Sequence, residues 1–336
     1  MTRLFWLLGP LLLCTCTEQV SDEAVTRART FASDVSQARL MEDVHALVGS
    51  HRSDTPIDCS RIELDPSEQP MIPLPYCSLT REAGRDLVRA RLEELGLTVT
   101  TQDSAGPAFA SQNIIAEKKG EERPDEVVIV AAHYDAFHAG ADDNSSGVAA
   151  LLELARLVSS QRFARTVRFV AFDLEELGII GSSRYVETLR DEELVVAVVF
   201  DCIGYTDSRP GSQGRIPGFA MPDVGDFLAA IANEHSRPRL EELLSLQARL
   251  QHVPVRGAVA PGAGPSPLAG QLLRSDHAPF WFAGQRALFL TDTANLRNPH
   301  YHQDTDTPET LDPAFLAGVT RLTAASLSLW AGGPLP

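Results

Sequence analysis

The sequence predicts an α/β fold in which a sheet is covered by helices, and three observations carry that reading. Short apolar runs rich in β-branched residues recur along the chain, helical patterns alternate with them, and four of the runs lead into residues able to hold a metal. Val127-Val128-Ile129-Val130 leads into His133, and Val167-Arg168-Phe169-Val170-Ala171-Phe172 into Glu175 and Glu176. Val195-Val196-Ala197-Val198-Val199-Phe200 leads into Asp201, and Ala287-Leu288-Phe289-Leu290 into a loop carrying His302. Such runs read as strands buried on both faces. In open α/β sheets ligands bind outside the carboxyl ends of the strands, so these ends should converge on one crevice. A metal site is the economical explanation.

The elements follow in order. Met1 to Thr17 carries one basic residue, Arg3, an apolar stretch from Leu4 to Leu13, and then Cys14 and Cys16. That stretch is too short to span a bilayer and reads as an export signal, leaving no transmembrane helix expected in the mature protein. Leu-Leu-Leu-Cys14 and Leu-Cys-Thr-Cys16 each resemble a degenerate bacterial lipobox without the usual small residue before the cysteine, so a lipid anchor at Cys14 or Cys16 stands beside ordinary cleavage. Either route expects a periplasmic, cell-envelope or secreted protein. In an oxidising compartment Cys59 and Cys77, flanking a Pro-rich segment, have the opportunity to pair.

Residues 18–336 read as a single domain. Ala24 to Val48 predicts a helix, with Leu40, Met41, Val44, Leu47 and Val48 on one side. A second runs from Arg81 to Leu95 and is stopped by Gly96. Leu97 to Thr101 and Gln112 to Glu117 read as strands, and Lys119-Gly120 turns the chain into the Val127 strand. From about 207 to 270 the chain is rich in Gly and Pro and reads as a loop-rich insertion, a wall or lid over the crevice. A last helix spans Pro313 to Trp330, with Asp312 as N-cap and Pro313 at the first position.

With 336 residues and 44% hydrophobic content, the chain has enough apolar surface for a sizeable core. Its 29 basic against 45 acidic residues, a net charge of −16, argue against nucleic acid or an anionic lipid surface as partner.

The segment from His133 to Gly147 carries Asp135, His138, Asp142 and Asp143 beside Gly and Ser at a helix start. Helix capping alone explains acids in such a place. It does not explain His133 upstream, Glu175-Glu176 after the next strand, Asp201 after the following one and His302 near the end.

Taken together, His133-Tyr134-Asp135, Gly140 to Gly147, Glu175-Glu176-Leu177-Gly178 with Gly181-Ser182, Asp201, Ser275-Asp276-His277, and Asn298-Pro299-His300-Tyr301-His302 followed by Asp306-Thr307 resemble the M28 family of metallopeptidases. The resemblance covers roughly residues 110 to 312. It implies a three-layer α/β/α fold with a mixed, mainly parallel central sheet, which the alternation of elements supports. It also implies two zinc ions: Asp143 bridging them, Glu176 and His302 completing one site, His133 and Asp201 the other. Imidazole and carboxylate suit Zn²⁺ independently, and paired metals commonly clamp a shared water. By the same resemblance Glu175 is the general base, and Asp135 accepts the second N–H of His133.

The activity expected is that of an exported zinc exopeptidase acting on peptides, an aminopeptidase first. A carboxypeptidase of the same family, with Arg274 or Arg297 as cation for the substrate carboxylate, a glutaminyl cyclase-like enzyme and a non-catalytic metal-binding lipoprotein are the alternatives. His277 reads as a supporting or pocket residue, His300 as a solvent-facing or supporting one, His138 as an incidental loop histidine first and a substrate contact second, and Tyr205 or Tyr301 as a donor to a tetrahedral intermediate. His45, His51, His235 and His252 read as surface or packed side chains, and Cys202 as a packed thiol.

Overall fold

The computed structural model describes residues 20–57, 78–105, 110–189, 192–216, 221–260 and 267–336. The expected export signal with Cys14 and Cys16, and the cysteines Cys59 and Cys77, lie outside the described residues. Two helices come first, α1 (Asp22–Ser33) and α2 (Gln37–Ser53). The one helix expected over Ala24 to Val48 is thus broken. Ser36 starts α2 by accepting the backbone N–H of Arg39, and its own N–H donates to Glu153 Oε1 at 2.7 Å. A hydroxyl that satisfies an orphan N–H at this point favours two short helices over one long one.

The remaining elements are β1 (Leu79–Thr80), α3 (Glu82–Glu94), β2 (Thr98–Ser104), β3 (Ser111–Lys118), β4 (Arg123–His133), β5 (Ala136–Phe137), α4 (Gly147–Ser159), β6 (Arg165–Phe172), α5 (Ile180–Val186), β7 (Glu193–Phe200), β8 (Leu228–Asn233), α6 (Arg237–Leu250), β9 (Val255–Ala260), α7 (His277–Phe282), β10 (Ala287–Thr291) and α8 (Pro313–Ala331). Eight strands form one sheet in the order β2-β3-β6-β4-β7-β10-β8-β9. The central four, β6, β4, β7 and β10, run parallel, whereas β2, β3 and β8 pair antiparallel with their inner neighbours. The parallel set sends the ends of β4, β6, β7 and β10 to the same edge.

Alternation along the central strands builds two cores. Val128, Val130 and Ala132 of β4 face one layer with α1, α2, α4 and α8, and Val127, Ile129 and Ala131 face the other with α5 and α7. That period of two, with both faces apolar, is the signature of a sheet sandwiched between helices. Helix α8 is long and apolar enough by composition to cross a membrane, but most of it is buried inside this domain. Asp312 caps it as expected, accepting the backbone N–H of Ala314 and Phe315 at 3.0 Å each.

The segment 207–270 departs from the loop-rich reading: it contains β8, α6 and β9. Leu228-Ala229-Ala230-Ile231-Ala232-Asn233 lacks the β-branched density that marks a strand, and β9 lies within the Gly-Ala repeat read as loop. Gly257 is used for close packing, since a Cβ there would sit 2.7 Å from Leu244 Cδ1 on α6.

Candidate metal centre

The expected ligands lie at or beyond the carboxyl ends of the parallel strands. His133 is the last residue of β4, Glu175 and Glu176 follow β6, Asp201 follows β7, and His302 lies on the long connection from β10 to α8. Asp143 belongs to a tight turn, Ala141–Ser146, that opens α4, and the Asp143–Asn144 peptide is cis. Gly140 enters this turn with φ +54°, and a Cβ there would come within 2.5 Å of the Asp143 carbonyl oxygen. Only a residue without a side chain fits both constraints.

The side chains form two triads that share Asp143: His133, Asp143 and Asp201, and Asp143, Glu176 and His302. Within each, the donor atoms lie within 4.8 Å of one another. Asp143 offers Oδ1 to His133 Nε2 at 3.4 Å and Oδ2 to His302 Nε2 at 2.9 Å. His302 Nε2 is also 3.1 Å from Glu176 Oε2, and His133 Nε2 is 3.9 Å from Asp201 Oδ1. Despite these distances, neither Nε2 nor Glu176 Oε1 makes a directed hydrogen bond among the described residues. Buried polar atoms that converge on common points without bonding one another are arranged as ligands rather than as hydrogen-bonded pairs. All are imidazole nitrogens or carboxylate oxygens, the donor set Zn²⁺ takes.

Electrostatics supports a cation. Burial opposes a charge on His133, but Asp135, Asp143 and Asp201 outweigh it and hold the imidazole well above its usual range. Burial likewise opposes a charge on His302, and Glu176 and Asp143 push it up to about 10. Burial and then the Asp143 charge push Glu176 up to about 7, while the two histidines bring Asp143 below the ordinary carboxylate range in spite of its burial. Among the described residues no Lys or Arg pairs with these acids, whose ion pairs are with the histidines alone. Buried carboxylates in such density need either protons or metal ions to be stable.

Supporting contacts fix the ligands. His133 Nδ1 donates to the backbone carbonyl of Asp135 at 3.0 Å, which leaves Nε2 as the free lone pair. The expectation that the Asp135 carboxylate accepts this N–H is therefore corrected: its Oδ1 is 3.6 Å away. The carboxylate is occupied by the backbone N–H groups of Glu175 and Glu176, at 3.1 and 3.2 Å. Asp306 does the same for the other loop, accepting the N–H of Asp142 and of Asp143. Asp142, next to the shared ligand, accepts from Gly204 N and Asn298 Nδ2. Cys202 is a buried thiol, as expected, and its Sγ–H donates to Asp201 Oδ1 at 3.2 Å. Leu174, Cys202 and His302 all adopt left-handed backbone, with φ of +57°, +52° and +57°. Each costs about 1–2 kcal/mol that the surrounding contacts must supply.

Other expected residues fall outside the triads. His277 is buried, donates Nε2–H to the Leu272 carbonyl and stacks on Phe289, which makes it a packing residue. His300 bonds Thr305, and His138 joins neither triad. Tyr301 stacks on His302 with ring centroids 3.8 Å apart, whereas the ring of Tyr205 lies by His300. Arg297 is buried over the Phe227 ring and bonded to Gln213 and the Tyr205 carbonyl. Sequence reading missed the positioning roles of Asp306, Asn298 and Asp142. Their proximity to matched motifs was the available signal.

Two triads sharing one carboxylate at the carboxyl edge of a helix-covered sheet define the site of a metal-dependent hydrolase. The chain belongs to peptidase family M28, whose family model matches residues 113–327, more than half of the chain. It is 34% identical over 244 residues to the uncharacterized protein YfbL of Escherichia coli (strain K12), covering 67% of this chain and 72% of that protein. It is 40% identical over 125 residues to aminopeptidase YwaD of Bacillus subtilis (strain 168), covering 36% of this chain but only 26% of that one. The solved structure of the Legionella pneumophila LapA aminopeptidase shares the fold, with a TM-score of 0.66 and 17% identity over 94% of this chain and 77% of that chain. The protein is accordingly a hydrolase of a zinc metallopeptidase family.

Proposed function

We propose that the protein is an exported aminopeptidase that removes residues from free N-termini of peptides with two zinc ions. The observation that carries this reading is the sharing of Asp143, one oxygen turned to each triad. His133, Asp143 and Asp201 would hold one ion, and Asp143, Glu176 and His302 the other. Zinc, when bound, supplies a Lewis acid and acidifies water.

Glu175 is the general base. Burial holds its carboxyl well above the usual range, with Asp201, Asp276 and Glu176 adding to the effect of burial and His133 opposing it. A carboxylate of raised basicity takes a proton from the attacking water and returns it to the leaving amine. Asp135 is a positioning residue: through the two N–H groups it holds Glu175 and Glu176 as a unit, so that one serves proton transfer while its neighbour serves as ligand.

Export rests on the sequence of residues 1–17, and mass measurement of the mature N-terminal peptide tests both cleavage and lipid at Cys14 or Cys16. The activity is tested by mass spectrometry of a peptide with a free N-terminal glutamine, beside its N-acetylated copy and a chelator control. Chelator-sensitive loss of N-terminal residues, with the acetylated copy intact, is the expected result. Shortening from the other end would make it a carboxypeptidase, and loss of ammonia alone a cyclase.

A further inference from the structure

A pocket open to solvent adjoins the metal centre, with Asp201 and Tyr301 in its wall. Its buried apolar lining is formed by Ile231 on β8, Leu272, and Phe289 on β10, with Asp201 and Thr291 as buried polar neighbours. Arg274 is the one cation among the described residues that line it.

Arg274 forms no ion pair with a carboxylate among the described residues. Most arginines here are paired with carboxylates, as Arg168 is with Glu117 and Glu192, and Arg81 with Asp173. Among the described residues Arg274 donates only to neutral oxygens: Nη1 to Gln271 Oε1 at 3.3 Å and to Asn295 Oδ1 at 3.1 Å, and Nη2 to Tyr301 Oη at 3.3 Å. Those contacts orient the guanidinium without neutralising it. A guanidinium has five N–H donors in a fork that matches a carboxylate, and three bonds leave two donors and the whole charge available. Tyr301 links this cation to the metal centre, since its ring stacks on His302 and its hydroxyl accepts from Arg274. Arg297, the other arginine near the site in the sequence, is buried, bonded to Gln213 and the Tyr205 carbonyl, and does not line the pocket.

We propose that this pocket selects a substrate residue with a carboxylate-bearing side chain, glutamate or aspartate, at the N-terminus of the peptide. The methylene stem lies on Leu272 and Phe289, and the carboxylate meets the unpaired donors of Arg274. This rests on the aminopeptidase reading and names its substrate class. The bare carboxylate at a peptide's C-terminus has the same chemistry, so the test must separate the two sources.

The test compares kcat/KM of the zinc-loaded protein for Glu-, Gln- and Leu-p-nitroanilide, in the wild type and in Arg274→Gln. Glutamate should exceed glutamine by about 10- to 100-fold in the wild type, the range of a charge-assisted bond, and that ratio should collapse toward 1 in the variant. Arg274→Lys, which keeps the charge and loses the fork, should retain part of the preference. A wild type that prefers leucine or glutamine, or a variant in which glutamate and glutamine fall together, overturns the proposal. So does Arg274-dependent shortening of N-acetylated peptides from the C-terminus. Calorimetric binding of free glutamate against free glutamine reads the pocket without hydrolysis. Glutamate binding that Arg274→Gln removes sustains the pocket assignment even if no N-terminal cleavage occurs, and equal binding of the two amino acids rejects it even if cleavage does.

Discussion

The Asp135 carboxylate accepts the backbone N–H of Glu175 at 3.1 Å. Its second oxygen accepts the N–H of Glu176 at 3.2 Å, so one buried acid on the loop after β4 fixes the loop after β6. Asparagine at this position replaces one acceptor by a donor facing an N–H. Asp135→Asn should weaken zinc binding by about 10- to 100-fold, with activity partly recovered in excess zinc. Titration against a competing chelator measures the affinity, and unchanged affinity with lower kcat would move Asp135 into the chemistry itself.

Glu175→Gln keeps the shape of the side chain and removes its basicity. It should lower kcat by on the order of 10² to 10⁴ while metal content, measured by elemental analysis, is retained. Full activity under saturating zinc would assign the base elsewhere.

Stripping the metal leaves the acids of both triads to neutralise themselves with protons and histidines. The thermal midpoint of the protein should fall on chelation and return with zinc, since a ligand at 100-fold above its Kd stabilises by about 2.7 kcal/mol. Calorimetric scans with chelator and then with added zinc check this, and identical midpoints would argue against any bound ion.

Gly181 begins the part of α5 that faces the end of β6. A Cβ there would lie 2.2 Å from the Asp173 carbonyl oxygen and 2.8 Å from its nitrogen, which is backbone and cannot step aside. Gly181→Ala should destabilise by about 1–3 kcal/mol, read as a shift in the urea midpoint at constant slope.

His51 packs against Gly84, bonds Thr80 Oγ1 at 3.0 Å and is brought down to about 4, mainly by burial, with Asp135 and Asp54 opposing. Above pH 6.5 the ring is neutral in both folded and unfolded chains, and the native contact contributes in full. As pH falls from 6.5 through about 4, the unfolded chain gains a proton that the folded chain resists, and up to roughly 3 kcal/mol is lost. His51→Gln removes this titration. The stability gap between metal-free wild type and metal-free variant should therefore narrow from pH 7 to pH 4.5 in urea titrations, and a constant gap would show that His51 is not held neutral.

The ligand-bearing strand ends were legible because buried strands have a strong local signal and because their ends share one edge by topology. His133, Asp143, Glu176, Asp201 and His302 do come together as two triads. The strands and helix between Leu228 and Ala260 were not legible, since a small-residue strand and a strand within a Gly-Ala repeat look like loop without the neighbours that pair with them. The break at Asp34 was hidden for a similar reason: the Ser36 N–H is held by Glu153, which is distant in sequence.

What the sequence by itself determined is the layered α/β architecture and the set of residues able to hold metal, because periodicity, strand composition and donor chemistry are local properties. What only the tertiary structure decided is how those residues are held and what approaches them. The Asp135 carboxylate serves two backbone N–H groups across the sheet edge rather than the imidazole two residues away. Arg274 lines a pocket with no carboxylate partner among the described residues, while Arg297 is buried and bonded. Hydrogen-bond partners and burial depend on residues far apart in the chain, and only the folded arrangement of sheet and loops brings them within reach.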